Sequence, residues 1–198
     1  MEDMQHLGWG RLCLRDKPTP YPGERWGLDN GAYMCWRKGM PFDGDLFLRR
    51  LDKAYAVGMP YMAVVPDIVA AGIDSLIFSQ AWRKRLPSDW PWFLAVQDGM
   101  EISDVEPILG SYAGLFLGGT NRFKSDAALW CDLSHRHGKL FHYGRCGTWF
   151  KFRHARDMGA DSLDSAGMVY EQWKWERFKR WYLQGAEQME LTLPVVGL

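Results

Sequence analysis

Six short apolar runs, each closing on a polar or glycine-rich tip and each followed by a helix-like stretch, set the limits on what this chain can fold into. The runs are RWGLDNGAY, YMAVVPD, WFLAVQDG, AGLFLGGT, LFHYGRCG and ADSLDSAG. Between them lie the amphipathic segments DLFLRRLDKAYAVG, DSLIFSQAWRKRL, SDVEPILGSY, SDAALWCDLSHRHG and WFKFRHARDMG, several opening on Ser or Asp and several closing on Gly. The tips fall at Asp29, Asp67, Gln97, Gly119, Arg145 and Asp164, 19 to 38 residues apart, which is the step of a strand–helix unit.

Strand–helix alternation with short loops implies a parallel sheet with right-handed crossovers, either a barrel or an open doubly wound sheet. In a barrel every strand delivers its C-terminal end to one mouth, so polar groups at six successive tips make sense as one site. An open sheet would spread them along an edge, and the GxGxxG pattern of a dinucleotide fold is absent. The expected fold is therefore α/β: a compact (β/α)8-type, TIM-like barrel, degenerate at its N-terminus and forming a single domain over residues 1–198. The first 28 residues, including LGWGRLCLR and the proline-rich PTPYPG, must supply one or two strands. VYEQWKWERFKRWYLQ reads as a closing amphipathic helix, with Trp175, Phe178 and Tyr182 against the barrel wall.

Composition narrows the functional classes. The chain is 47% hydrophobic and 24% charged, with no apolar run of 18 residues to span a bilayer and no signal-peptide pattern at MEDMQHLGWG. A cytoplasmic protein is expected. Four scattered cysteines, without a CxxC pair, suggest neither a disulfide framework nor a zinc site. Net charge is zero, but Leu133 to Ala155 holds Arg136, Lys139, Arg145, Lys151, Arg153 and four of the five histidines without one acid. Such a cluster fits a solvated helical face or a phosphate-contacting surface equally well.

The chemistry of the tips is more specific. A guanine-like base offers an N1 hydrogen and an amine as adjacent donors, beside a carbonyl acceptor. One carboxylate can accept both donors, while an amide and glycine backbone N–H groups serve the carbonyl. Asp67 and Gln97 with Gly118 and Gly119 supply that set. A further carboxylate aimed at the sugar could attack its anomeric carbon, as carboxylate nucleophiles do in retaining glycosidases. Singly, each residue has a plainer use: an aspartate ending a strand is more often a cap or turn former, and Asp161 is expected to be one.

The ordered series LDNGAY, VVPD, AVQDG, FLGGT, HYGRCGT and GADSLDSAG, over residues 26–167, resembles the tRNA-guanine transglycosylase superfamily, and more closely its DNA-directed branch in bacterial and phage deazapurine systems. The resemblance implies that Asp164 is the nucleophile and that Asp29 is a second carboxylate contacting the base and acting as general base. It also implies that Asp67 and Gln97 read the base edge, with backbone contacts from Gly118 and Gly119, and that Tyr33 and Tyr143 cover the two faces of the base. The implied reaction exchanges guanine in a polynucleotide for a free 7-deazaguanine of the preQ0 type, without a cofactor. The cysteine-rich zinc site of the tRNA enzymes has no counterpart after Asp164, so no metal is carried over and DNA is the expected substrate. Alternatives are a DNA or nucleoside N-glycosidase, tRNA-directed exchange, and a non-catalytic nucleic-acid-binding barrel. A base must leave its duplex to reach a barrel mouth, and Arg145, Lys151 and Arg153 are the expected phosphate contacts.

Overall fold

The computed structural model describes residues 10–13, 20, 23–165 and 172–192. Its framework is one seven-stranded sheet in which every strand is parallel to the next and spatial order follows chain order. The strands are β1 (Gly10–Cys13), β2 (Arg25–Leu28), β3 (Met62–Val64), β4 (Trp92–Val96), β5 (Gly114–Leu117), β6 (Leu140–Tyr143) and β7 (Ser162–Leu163). Helices α1 (Ala32–Arg37) and α2 (Gly44–Tyr55) follow β2, α3 (Ile73–Arg83) follows β3, and α4 (Ile102–Val105) with a 3-10 segment follows β4. A 3-10 turn (Phe123–Asp126) leads into α5 (Ala127–Arg136) after β5, α6 (Trp149–Asp157) follows β6, and α7 (Gln172–Thr192) is the last described element.

The sheet curls as a half-barrel, and among the described residues β1 and β7 are not paired. The expected eight-stranded barrel is thus present as seven parallel strands of one curled sheet. One strand comes from the N-terminal segment, as expected; most of PTPYPG lies outside the described residues.

The same physics that makes this sheet parallel makes its strands apolar on both faces, since helices must cover a βαβ sheet. Every residue of β4 is buried, Trp92, Phe93, Leu94 and Val96 completely. Asp43 caps α2 by accepting from the Leu46 N–H at 2.8 Å, and Thr148 caps α6 by accepting from Lys151 N–H. Phe47 of α2 meets Trp82 of α3 edge-on, with centroids 5.8 Å apart. On α7 the packing stripe is Phe178 with Trp181: Phe178 is buried against Phe152 and Trp181 lies 5.4 Å from Trp149. Tyr182, expected on the wall, is 38% exposed; the helix is rotated so that its neighbour Trp181 faces α6 instead.

Asp161 ties the start of β7 to β6: its carboxylate accepts from the Phe141 N–H at 2.7 Å and from His135 at 2.9 Å. It serves the local structural role its position suggested.

Candidate active site at the strand tips

Parallel pairing in chain order brings the C-terminal ends of β2 through β7 to one edge of the curled sheet, so the residues after those strands share a rim. Asp29 follows β2 directly, Asp67 lies three residues after β3, and Gln97 follows β4. Gly118 and Gly119 follow β5, Gly144 and Arg145 follow β6, and Asp164 follows β7.

Asp164 is the best-prepared carboxylate on that rim. Its Oδ1 accepts from His142 Nε2 at 3.1 Å and from the Arg145 backbone N–H at 2.9 Å. A carboxylate only accepts, so His142 must carry its proton on Nε2, and Nδ1 is left to pair with Ser162 Oγ at 2.8 Å. The imidazole is held flat against Phe116, centroids 4.7 Å apart. Burial alone would push the Asp164 carboxyl up. The His142 hydrogen bond and charge, the Arg145 N–H and the Lys124 ammonium outweigh burial and hold it below the ordinary carboxylate value. Oδ2 has no partner among the described residues, and the side chain remains 21% exposed. The result is an ionised, oriented carboxylate with one oxygen available.

Asp29 is its opposite. Burial pushes this carboxyl up, and the nearby negative charge of Asp164 adds to the rise, while a 2.7 Å hydrogen bond from the Gly31 N–H opposes it. The two carboxylates are thus close enough to sense one another and are driven in opposite directions.

Asp67 sits deeper, only 8% exposed, and burial pushes its carboxyl up to about 6 against the hydrogen bond it accepts from Asn30. Asn30 Nδ2 donates to Asp67 Oδ1 and to the Val65 carbonyl, both at 2.8 Å. Gln97 is 3% exposed and its amide is spent internally. Oε1 accepts from the Ala70 N–H at 2.6 Å, and Nε2 donates to Ser75 Oγ, to the Ile68 carbonyl and, at 3.4 Å, to Asp67 Oδ2. The expectation that Gln97 reads a base edge is therefore corrected: it braces the loop carrying Asp67, whose Ala70 sits at φ 64°.

The two glycines divide. The Gly118 N–H is used by the Val96 carbonyl at 2.8 Å, which removes it as a ligand donor. The Gly119 N–H has no acceptor among the described residues. At φ 72°, and with the Asp98 carboxylate 2.6 Å from where a Cβ would stand, Gly119 could not be another residue without strain. Asp98 in turn binds the Thr120 N–H and hydroxyl, fixing this turn.

The two tyrosines also divide. Tyr33 is 38% exposed at the rim, stacked on Trp36 with centroids 5.7 Å apart and with the Arg145 guanidinium 5.0 Å from its centroid. Tyr143 is 2% exposed, its ring packed below the Lys124 ammonium and edge-on to His154. The expectation that Tyr143 covers a base face is corrected: β6 turns it into the core. Of the expected phosphate contacts, Arg145 is exposed at the rim and Lys151 stands near enough to Lys124 to lower its pKa, whereas Arg153 pairs with Asp157 one turn along α6.

Three participants were not anticipated. Asn30 lies inside the LDNGAY run, in the turn after β2, and His142 inside LFHY; strand alternation could have found His142, which precedes Tyr143 and must face the opposite side of β6. Lys124 gave no signal, because FKSD reads as a solvated turn. Among the described residues there is no cluster of three His, Cys, Asp or Glu side chains suited to a metal ion, and no helix long and apolar enough to cross a membrane. The chain matches no protein-family model and no curated protein.

Proposed function

We propose that the protein is a base-exchanging transglycosylase, replacing guanine in DNA with a free 7-deazaguanine through a glycosyl ester on Asp164. One observation carries this reading: two electrostatically coupled carboxylates on one rim, Asp164 held ionised and Asp29 driven toward its neutral form. Environments that push two acids apart mark a division of labour between nucleophile and proton carrier.

The steps balance without an external energy source. Asp164 Oδ2 attacks C1′ of an extruded nucleotide as the bond to the purine breaks and its electron pair leaves with guanine. The Asp29 carboxyl gives its proton to the departing ring. The sugar is then an ester of Asp164, and the strand is unbroken. The incoming base returns its N9 proton to the Asp29 carboxylate, its N9 bonds C1′, and the Asp164 carboxylate is expelled. His142 and the Arg145 N–H favour the ionised carboxylate at the start and again at release.

Recognition falls to Asp67, which can accept from the N1 hydrogen and amine of guanine, and to the Gly119 N–H for its carbonyl. The Asn30, Gln97 and Ser75 network keeps Asp67 in place. Tyr33 with Trp36, and the cations Arg145 and Lys151, suit an unpaired strand at the rim, where stacking and backbone charge hold flanking nucleotides.

Single-stranded and duplex DNA carrying labelled guanine, incubated with a free 7-deazaguanine, should lose label and gain the new base with strands intact. Abasic sites would point to hydrolysis instead, and neither release nor incorporation would overturn the proposal.

A further inference from the structure

Lys124 is 3% exposed, has no carboxylate partner among the described residues, and takes no part in the scheme above. Lysine is almost never so deeply buried unless paired, because withdrawing its ammonium from water is expensive. Burial and the neighbouring Arg145 and Lys151 cations pull its pKa down to about 7, with the Asp164 charge opposing them. Its Nζ donates to a single backbone group, the carbonyl of Gly144.

That carbonyl belongs to the peptide that serves the nucleophile. The Gly144 C=O and the Arg145 N–H are two ends of one planar unit, and in a trans peptide they point in opposite directions. Anchoring the oxygen therefore fixes the aim of the hydrogen. It is this N–H that donates to Asp164 Oδ1.

The backbone on either side of this peptide is fixed as well: the Arg145 carbonyl accepts from the Gly147 N–H at 3.0 Å, the Cys146 N–H donates to the Asp164 carbonyl at 2.6 Å, and the Arg145 guanidinium donates to the Gly119 carbonyl. Gly144 packs so tightly on β5 that a Cβ would stand 2.7 Å from the Phe116 ring and 2.8 Å from the Leu117 carbonyl. Its own N–H is used by Leu117 O at 3.1 Å. Arg145 then takes φ 54°, a left-handed conformation that non-glycine residues keep only when the surroundings over-determine it. Beyond the last β5–β6 ladder bond, the Gly144 carbonyl would be a buried acceptor without a donor, and Lys124 supplies that donor.

We propose that Lys124 is a positioning residue for Asp164, acting through the Gly144–Arg145 peptide. Its Nζ holds the carbonyl so that the N–H of the same unit is turned onto Asp164 Oδ1, leaving Oδ2 as the free oxygen. A charged donor on the carbonyl also polarises the unit and strengthens its N–H as a donor, as hydrogen bonds in series do. The inference rests on the proposed nucleophilic role of Asp164, but its test is separable from that role.

The test is an NMR titration of the intact, ligand-free chain, following the Asp164 carboxyl carbon, assigned with Asp164→Asn, and the Arg145 amide. The charged and titratable groups facing Lys124 and this peptide are Arg145, Lys151, Asp164, Cys146 and Tyr143, whose ring lies under the ammonium, with His142 bound to the same carboxylate. Lys124→Met, which removes donor and charge at nearly constant shape, should shift the Asp164 titration to higher pH and displace the Arg145 amide resonance. In the unmodified protein that amide should show a titration step near pH 7 which Lys124→Met and Lys124→Gln both abolish. With exchange activity in hand, Lys124→Met should also move the acid limb of the pH–rate profile upward and lower kcat about tenfold, with KM for the free base unchanged within twofold.

Lys124→Met and Lys124→Gln variants whose Asp164 titration and Arg145 amide match the unmodified protein would overturn the proposal, even if they were less stable, because Lys124 would then only satisfy a buried carbonyl. If the titrations move as expected but the unmodified protein exchanges no base, the functional reading fails and the positioning role stands.

Discussion

Asp67→Asn should make the protein more stable at alkaline pH and much less so in acid, by an amount that follows from where the carboxyl sits. In the unfolded chain this group titrates at 3.8, and in the fold burial raises it to about 6. A carboxyl raised on folding costs stability once it is ionised. The penalty is absent well below 3.8, grows as pH rises between the two values, and is complete above 6. From those values the penalty is about 1.6 kcal/mol at pH 5 and about 3 kcal/mol at pH 8, using 1.36 kcal/mol per pKa unit. Asparagine carries no such term. It keeps an oxygen for Asn30 Nδ2, while its new amine meets Gln97 Nε2 across a contact that was only 3.4 Å to begin with. That mismatch costs about 1 kcal/mol at every pH. Urea unfolding of both proteins at pH 5 and pH 8 isolates the pH-dependent part: the difference in stability, variant minus parent, should be about 1.4 kcal/mol more favourable at pH 8. A difference that is flat with pH, or of opposite sign, would refute the placement of Asp67 as a buried acid. The same account says that a ligand offering two donors to Asp67 binds its ionised form, so free guanine should bind more tightly at pH 8 than at pH 5.

Gly144→Ala should destabilise the fold by about 1–3 kcal/mol in denaturant unfolding, because the added methyl meets the Leu117 carbonyl at 2.8 Å and backbone cannot yield cheaply. It should also disturb the Asp164 titration through Arg145. Neutralising Arg145 and Lys151 together should flatten the dependence of log DNA affinity on log salt by about 1.5, at roughly 0.7 to 0.9 per phosphate contact. Neutralising Arg153, already paired with Asp157, should leave that slope unchanged; a measurable drop would place the strand further along α6.

The framework was legible in the sequence because βαβ physics writes itself twice, once as apolar runs buried on both faces and once as polar tips at a regular step. All six runs are strands at the predicted places, and the seventh strand came from the N-terminal segment. Barrel closure was not legible: whether β1 reaches β7 depends on sheet curl and on pairing between chain ends, which no local pattern encodes. At the site, position was easier to read than orientation. Asp29, Asp67, Asp164 and Arg145 stand on the rim, as strand-end residues should. Gln97 and Gly118 stand there too, but their polar atoms turn inward to the Asp67 loop and the β4 carbonyl. Strand alternation places Tyr143 in the core and His142 beside Asp164, a distinction that follows from counting residues to the strand end rather than from motif spacing. Lys124 had no such signature, since only the unsatisfied Gly144 carbonyl explains a lysine there.

The central claim is that Asp164 becomes covalently attached to the sugar. The direct measurement is peptide mapping by mass spectrometry of protein quenched in acid denaturant after incubation with a guanine-containing single-stranded oligonucleotide, without an incoming base. The account predicts a peptide spanning Asp164 that carries the oligonucleotide, released guanine in equal amount, and loss of both in Asp164→Asn. Base exchange without any such adduct, or an adduct on another residue that persists in Asp164→Asn, would contradict it.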